Sequence, residues 1–487
     1  MEQTPTAETL VAELVRSDVQ QTGDFSCSNE LLNQQYRVTR LTLEDNWHSL
    51  PEDCPHREKC GWLGDAHATA DVSFYTYDMS RFYTKYLRDI EDNLTQDERS
   101  RDILPHAAGL PTMVAPGKRG TRLGNLDWGV ALVLVPWRHY VHTGDVDVFK
   151  RHYADIKNFL TYFMSYRDQT GTIQNGLGDW CPPRWDRRSA PEFMECHPYV
   201  SGMAFFYEAL RITGEMATIV GDDAYSRQCV AQAEEICAAF NETYLKPIPE
   251  TSLKHYGSQT ATIMALKFGM VPDDQKETVV KGLLYDINQR HGGHYSCGIH
   301  GLRHFYTVLA ELGQEALVLS ILTDPTFPGP TFILNSGMTT WPERQFEWGK
   351  VEFSNSLNHP MQGGYAAFFH EGLGGIQPTF EGAGYKHITL KPYLTQQLDW
   401  VKTTTESPLG LVQSEWKNGP HGFAWHIIVP VNVKATVYVP CGPNQNLLEG
   451  GKAVNLPSQE ITEGNRHWRR LSLGSGEYEF LVSKKMP

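Results

Sequence analysis

The feature that most constrains this chain is a change of period. From about residue 29 to residue 382 apolar residues recur at helical spacing, and beyond Tyr385 they alternate. A chain broken in this way folds as a helical unit followed by a unit of strands. Leu31, Leu32, Tyr36, Val38, Leu41 and Leu43 give the first helix, with Ser28 as its N-cap. Further runs cover 66–94, 126–142, 146–166, 202–220, 224–244, 260–268, 276–289, 301–312 and 357–372. Gly144, Gly171, Gly214, Gly221, Gly269 and Gly313 fall just past such runs, where a left-handed C-cap favours glycine. The spacing predicts about ten to twelve consecutive helices. A helical solenoid would need a fixed short repeat, which is missing. The reading is a mainly α fold, an (α/α) toroid whose loops at one end build a site.

The alternating part includes KHITLKP, LVQSEW, GFAWHIIVPV, ATVYVP and YEFLVS, with turn signals such as NGPHG between them. About a hundred residues of this kind suit an antiparallel β-sandwich. The expected domains are a lead-in over 1–28, the toroid over 29–384 and the sandwich over 385–487.

Charge and composition exclude several classes. A formal net charge of -14 argues against a non-specific nucleic-acid binder. No run approaches the ~18 apolar residues of a membrane helix, so no membrane partner is expected. The N-terminus shows neither a basic nor an apolar leader segment, which suits a cytoplasmic enzyme or a chain trimmed of its signal. Nothing sets an oligomeric state, and a homo-oligomer is allowed. The nine cysteines lack CxxC pairs and read as free thiols. Cys54 and Cys60 are too widely spaced for a zinc knuckle, with no His/Cys pair nearby in sequence. The three histidines of HGGHYSCGIHG, His291, His294 and His300, do not fit metalloprotease spacing. No metal and no cofactor is assigned. GxSxG, Walker A and well-placed GxGxxG motifs are missing as well.

The chemistry-bearing stretch is DCPHREKCGWLGD, residues 53–65. It joins two helical runs and mixes Asp53, Glu58 and Asp65 with His56, Arg57, Lys59 and Trp62. Pro51 and Pro55 stiffen its entry, while Gly61 and Gly64 let the backbone approach a neighbour closely. Charge alone would make this a solvated loop. Trp, two Gly and two Pro among the charges suggest a loop shaped for a ligand. Glycoside hydrolysis needs a carboxylic acid for the leaving oxygen and a second carboxylate facing it. GMTTWPERQFEWG, residues 337–349, offers Glu343, with Glu347 as its rival. Asn358 and His359 open the last helical run. Trp128 and Trp180 each follow an Asp in a loop or turn, where an indole suits sugar stacking.

These residues resemble the bacterial α-L-rhamnosidases of glycoside hydrolase family 78. DCPHREKCGWLGDA is similar to that family's most specific motif. TGDFSCSNELLNQQY, WGVALVLVPW, GDW, the GGH segment, GMTTWPER and SLNH follow in the family's order, and GYKHITLKPYL with SPLGLVQSEW resembles its C-terminal β domain. The resemblance runs from about residue 15 to the C-terminus. It implies an (α/α)6 barrel and an inverting hydrolase that removes terminal α-L-rhamnose. It further implies Glu58 as general acid and Glu343 as general base. Asp53, Arg57, Trp62, Asp65 and His359 would line the sugar subsite, with Trp128 and Trp180 as aromatic walls. Three departures stand out. The family usually carries β domains ahead of the barrel, and this sequence opens close to it. Lys59 stands where Arg is common. Around the base the sequence reads Pro342-Glu343-Arg344, and Pro360 follows His359 in place of an aromatic residue. The rival readings are another toroid carbohydrate-active enzyme, such as a polysaccharide lyase, and a carbohydrate-binding homologue without catalysis.

Overall fold

The computed structural model describes residues 6, 9, 11–94, 109–117, 124–184, 195–346, 355–420, 422–454 and 456–484. In chain order its helices are α1 Glu30–Glu44, α2 Leu63–Thr76, α3 Ser80–Asp92, α4 Leu126–Gly129 and α5 Ala131–Thr143. There follow α6 Asp147–Met164, α7 Pro198–Val220, α8 Asp223–Tyr244, α9 Gln259–Lys267 and α10 Lys276–Tyr285. The last are α11 Ile299–Glu311, α12 Glu315–Thr323 and α13 Pro330–Asn335.

Six helical members close a ring. α2 packs on α5, α5 on α7, α7 on α9, α9 on α11, α11 on the segment Pro360–Ala366, and that segment returns to α2. The ring members are buried nearly all round, and every residue of α2 is buried. The amphipathic helices α1, α3, α6, α8, α10 and α12 lean on them from outside, as a surface helix with one apolar stripe must. This is the six-hairpin toroid expected from the sequence. Among the described residues, no helix is long and apolar enough to cross a membrane.

Several local expectations change. Asn29 caps α1 by accepting from the Leu31 amide at 3.0 Å. Ser28 instead accepts from the Asp399 amide and so ties the helix start to the sheets. The run 66–94 breaks into α2 and α3 around Tyr77–Met79. Gly144 and Gly221 are left-handed C-caps, but Gly214 lies inside α7, facing Cys229 of α8. The run 357–372 is no regular α-helix. A tight 3-10 stretch, Pro360–Ala366, precedes a wide π turn, Phe369–Leu373. The cause is close packing: a Cβ on Gly364 would sit 2.5 Å from the Ala68 carbonyl of α2.

Apart from a short ribbon, Lys246–Pro247 with Lys254–His255, the described strands form two facing sheets. The larger runs, in spatial order, Gly23–Cys27, Trp400–Ser407, Gly410–Gly419, Gly422–Val429, Gly476–Lys484, Gln445–Glu449 and Lys452–Ala453. The smaller runs Ser458–Glu463, Arg466–Leu473, Lys434–Pro440, His387–Leu390 and Ile376–Pro378. Pairing is antiparallel except between His387–Leu390 and Lys434–Pro440, which run parallel. Residues 23–27, grouped by the sequence reading with the lead-in, supply an edge strand with Phe25 opposite Thr403. The sandwich sits on the end of the ring: Trp416 donates to the Leu373 carbonyl at 2.8 Å and Ser414 to that of Gly374 at 2.6 Å.

Candidate active site

Chain direction gathers the N-termini of the ring members at one end. Exposed amides and the positive end of each helix dipole favour carboxylates there. Asp65 lies in the first turn of α2 and Asp127 in that of α4. Asp179 accepts from the Gly298 and His300 amides at the start of α11, at 2.5 and 2.7 Å. Glu195 accepts from the Gln259 and Thr260 amides at the start of α9.

The 53–65 loop is held from inside. The Asp53 amide donates to Cys60 O at 2.9 Å, the Lys59 amide to Cys54 O at 3.2 Å, and the Tyr86 hydroxyl to Gly61 O at 3.0 Å. Two glycines of the loop permit close approaches: a Cβ on Gly61 would lie 2.0 Å from the Ala115 carbonyl oxygen, and Gly64 faces an indole. A Cβ there would lie 2.4 Å from the Trp128 indole, so only glycine lets that ring lie against α2.

Arg57 joins the two carboxylates singled out by sequence. Its Nη2 donates to Glu343 Oε2 at 2.8 Å and lies 3.4 Å from Glu58 Oε1. The two oxygens are therefore no farther apart than the sum of those distances. Glu58 also accepts from Trp62 Nε1 at 2.7 Å. Glu343 is 5 % exposed. Its Oε2 accepts from the Ser356 amide at 3.1 Å, and Arg344 Nε lies 3.8 Å from Oε1. Burial works against ionisation of Glu343. His359, the Ser356 amide, Arg57 and Arg344 outweigh it and hold the carboxyl below its ordinary range.

Beneath this pair lies a buried cluster. Asp53, Cys54 and His359 each place a donor atom within 4.8 Å of the other two. Burial, with a smaller push from the Asp65 charge, raises Asp53 to about 9 against the opposing pull of His359. Burial would raise the Cys54 thiol, but the nearby His359, with Asp53 and the Glu58 amide, brings it down to about 6. Burial disfavours a charged His359, yet Asp65 and Cys54, with the Glu343 charge, lift it to about 10. His359 Nε2 stands 3.4 Å from Asp65 Oδ1.

The structure thus brings Asp53, Arg57, Glu58, Trp62, Asp65, Glu343 and His359 together. Trp180 is part-buried with the Arg344 guanidinium 5.9 Å over its ring. Trp128 is only 2 % exposed and meets His300 edge to face at 4.9 Å, so it backs the pocket from behind α2. Glu347 lies outside the described residues. His291, His294 and His300 do not converge: His291 faces Asp286, His294 contacts Pro328 O and Thr326, and His300 packs on Trp128 and His67.

Sequence reasoning missed the supports. Arg344, next to Glu343 in sequence, gains its place beside that carboxylate and over Trp180 only in the fold. Asp127, fully buried, accepts from the Leu177 and Gly178 amides and from Ser201, and so sets the loop that carries Trp180. Gln362 holds the Glu343 carbonyl at 2.9 Å. An Asp next to a Trp in both DW motifs was the available signal for Asp127 and Asp179. Nothing local marks Gln362 or Ser356.

Comparison with known proteins agrees with this architecture. Residues 20–373 match the bacterial alpha-L-rhamnosidase 6 hairpin glycosidase domain, and residues 375–453 match the bacterial alpha-L-rhamnosidase C-terminal domain. An alpha-L-rhamnosidase of Formosa agariphila is 42% identical over 484 residues, covering 99% of this chain and 50% of the relative. The chain spans about half the length of the curated relatives it matches. The solved alpha-L-rhamnosidase of Dictyoglumus thermophilum superposes with a TM-score of 0.88 at 27% identity, over 99% of this chain and 52% of that one. A Streptomyces avermitilis alpha-L-rhamnosidase complexed with L-rhamnose gives 0.83 at 25% identity, over 96% and 43%. With its toroid, its sandwich and its motif loop all matched, the chain belongs to the bacterial α-L-rhamnosidase six-hairpin glycosidase family.

Proposed function

We propose that this protein is an inverting glycosidase that releases terminal α-L-rhamnose, with Glu58 as general acid and Glu343 as general base. The observation that carries the reading is the single Arg57 nitrogen within reach of both carboxylates. It brings one oxygen of each carboxylate to the same guanidinium nitrogen. An inverting pair needs roughly 6.5–9.5 Å between carboxyl groups to admit a water; the two oxygens that share Arg57 Nη2 stand closer than that, so the support for inversion is the family likeness, and the water would enter where Arg57 now stands.

Each residue then has a task. Glu343, buried and surrounded by positive charge, is kept as an anion that can take a proton from water. Glu58, on the loop beside Trp62, gives its proton to the glycosidic oxygen. Attack by water breaks the bond between the anomeric carbon and that oxygen, and the configuration inverts. Asp53, Asp65 and His359 on the floor bind sugar hydroxyls by charge-assisted hydrogen bonds. Trp62 and Trp180 offer apolar faces to the sugar, and Trp128, buried against Gly64, supports them from behind.

The test is NMR of the anomer first released from an aryl α-L-rhamnoside. The expected first product is β-L-rhamnose. Initial release of the α anomer would overturn inversion. Failure to cleave any rhamnoside, with turnover of another glycoside, would overturn the sugar.

A further inference from the structure

We propose that Asp53, Cys54 and His359 form a binding site for a zinc-class divalent cation beneath the two catalytic carboxylates. The donor types select the ion. A sulfur, an imidazole nitrogen and a carboxylate oxygen suit zinc, cobalt or cadmium, whereas magnesium and calcium prefer oxygen alone. Donors on one tetrahedral zinc lie roughly 3.3–3.8 Å apart at its ~2.0–2.3 Å bonds; the three atoms here all lie within 4.8 Å of one another, so modest side-chain shifts would bring them onto one ion. Three protein ligands leave the fourth tetrahedral position to a water or a hydroxyl.

The surroundings of these donors are those of a ligand set. A metal-bound histidine ordinarily directs its other ring nitrogen at a carboxylate. His359 does so, with Nε2 3.4 Å from Asp65 Oδ1, while Nδ1 has no hydrogen-bond partner on a side chain 5 % exposed. Asp53 Oδ1 accepts from the Cys60 amide at 2.9 Å, and Oδ2 faces Cys54 Sγ at 2.9 Å. Cys54 Sγ accepts from the Glu58 amide at 3.3 Å, a contact that steadies a metal thiolate. Every ligand is thus oriented by an outer partner and keeps a donor atom turned toward the others. Binding needs Asp53 as carboxylate, Cys54 as thiolate and His359 as neutral imidazole, so whatever protons these three groups carry beforehand are released to solvent. On the sugar assignment above, Asp53 and His359 cannot serve an ion and a sugar together, so the two compete.

The experiment titrates the full chain with Co2+ and reads the thiolate-to-cobalt charge-transfer band in the near ultraviolet. Calorimetry with Zn2+ runs beside it. The expected result is one equivalent bound with a strong thiolate band. Cys54→Ser removes the band. Asp65→Asn, which leaves all three ligands in place, weakens Zn2+ about 10–100-fold. Circular dichroism checks that both variants fold, and Asp65→Asn carries the test if Cys54→Ser does not. A cobalt spectrum without a thiolate band, or Zn2+ affinity untouched by both variants, would overturn the site. None of these readouts needs turnover. L-Rhamnose should weaken Zn2+ binding. If the thiolate band forms and L-rhamnose does not affect it, the ion site stands and the sugar assignment falls. If rhamnosides are cleaved and no thiolate band forms, the reverse holds.

Discussion

Glu58 and Glu343 are the same residue type and contact one guanidinium, yet the chain surrounds them differently. Glu58 stands on the motif loop with its side chain 18% exposed, beside Trp62 Nε1. Glu343 is sealed at 6% and is approached by Arg57, Arg344, the Ser356 amide and the charge of His359. The difference teaches that role here comes from surroundings. On the proposed assignment, a fixed anion enclosed by cations suits a base, and the more exposed carboxyl suits an acid.

The sharpest way to break this comparison is to neutralise each side. Glu343→Gln should lower kcat by roughly 10³–10⁴-fold, toward the upper range for general acid–base groups. The loss should be equal for aryl and alkyl rhamnosides, because water must be activated whatever group departs. Near-parental turnover would remove Glu343 as base. Glu58→Gln should cost about 10²–10³-fold on a sugar or alkyl leaving group, and only about 10-fold on a p-nitrophenyl glycoside, whose phenolate departs with little help. Equal losses on both substrate types would end the division of labour.

The two sides were also unequally legible in the sequence. The acid side is contiguous: one loop of thirteen residues carries Asp53, Arg57, Glu58, Trp62 and Asp65, so a single motif exposed it. The base side is assembled by folding. Ser356 reaches Glu343 across 13 positions, Arg57 across 286. Contacts of that kind leave no local pattern. The toroid was readable because amphipathic spacing is itself local. The last ring member was misread as a regular helix because its tight turns answer to the Ala68 backbone of α2, which lies far away in sequence. Residues 23–27 were missed as a strand because their partner strand lies almost 400 positions later.

A smaller intervention probes the scaffold on the acid side alone. Gly64→Ala places a methyl against the Trp128 indole and must displace the ring or α2. Such overpacking costs about 1–3 kcal/mol. Activity should fall roughly 10-fold through misplacement of Trp62 and Glu58, within the range that a small misplacement allows. The acid limb of the pH profile should stay where it is, since Glu343 keeps its neighbours. A thermal melt and a pH profile of kcat/KM check both halves, and a shifted acid limb would show that the two sides are mechanically coupled.

The smallest expected effect concerns Arg344, which lies near Glu343 and over Trp180 at once. Glu343 has a folded pKa below its unfolded one, near 4.3 for a free glutamate. It therefore adds stability above that unfolded value and loses it as pH falls through the folded value. Arg344→Ala should raise the Glu343 pKa, move the acid limb of kcat/KM upward and flatten the acid dependence of stability. Near neutral pH the base stays ionised, so turnover there should change by less than about 10-fold. Arg344→Lys separates the two contacts. It keeps the charge beside Glu343 but loses the planar guanidinium over the indole. The acid limb should then hold while KM rises. If lysine instead moves the limb as far as alanine does, the guanidinium holds the base by geometry rather than by charge, and Glu343 depends on a fixed Trp180 wall as much as on its cations.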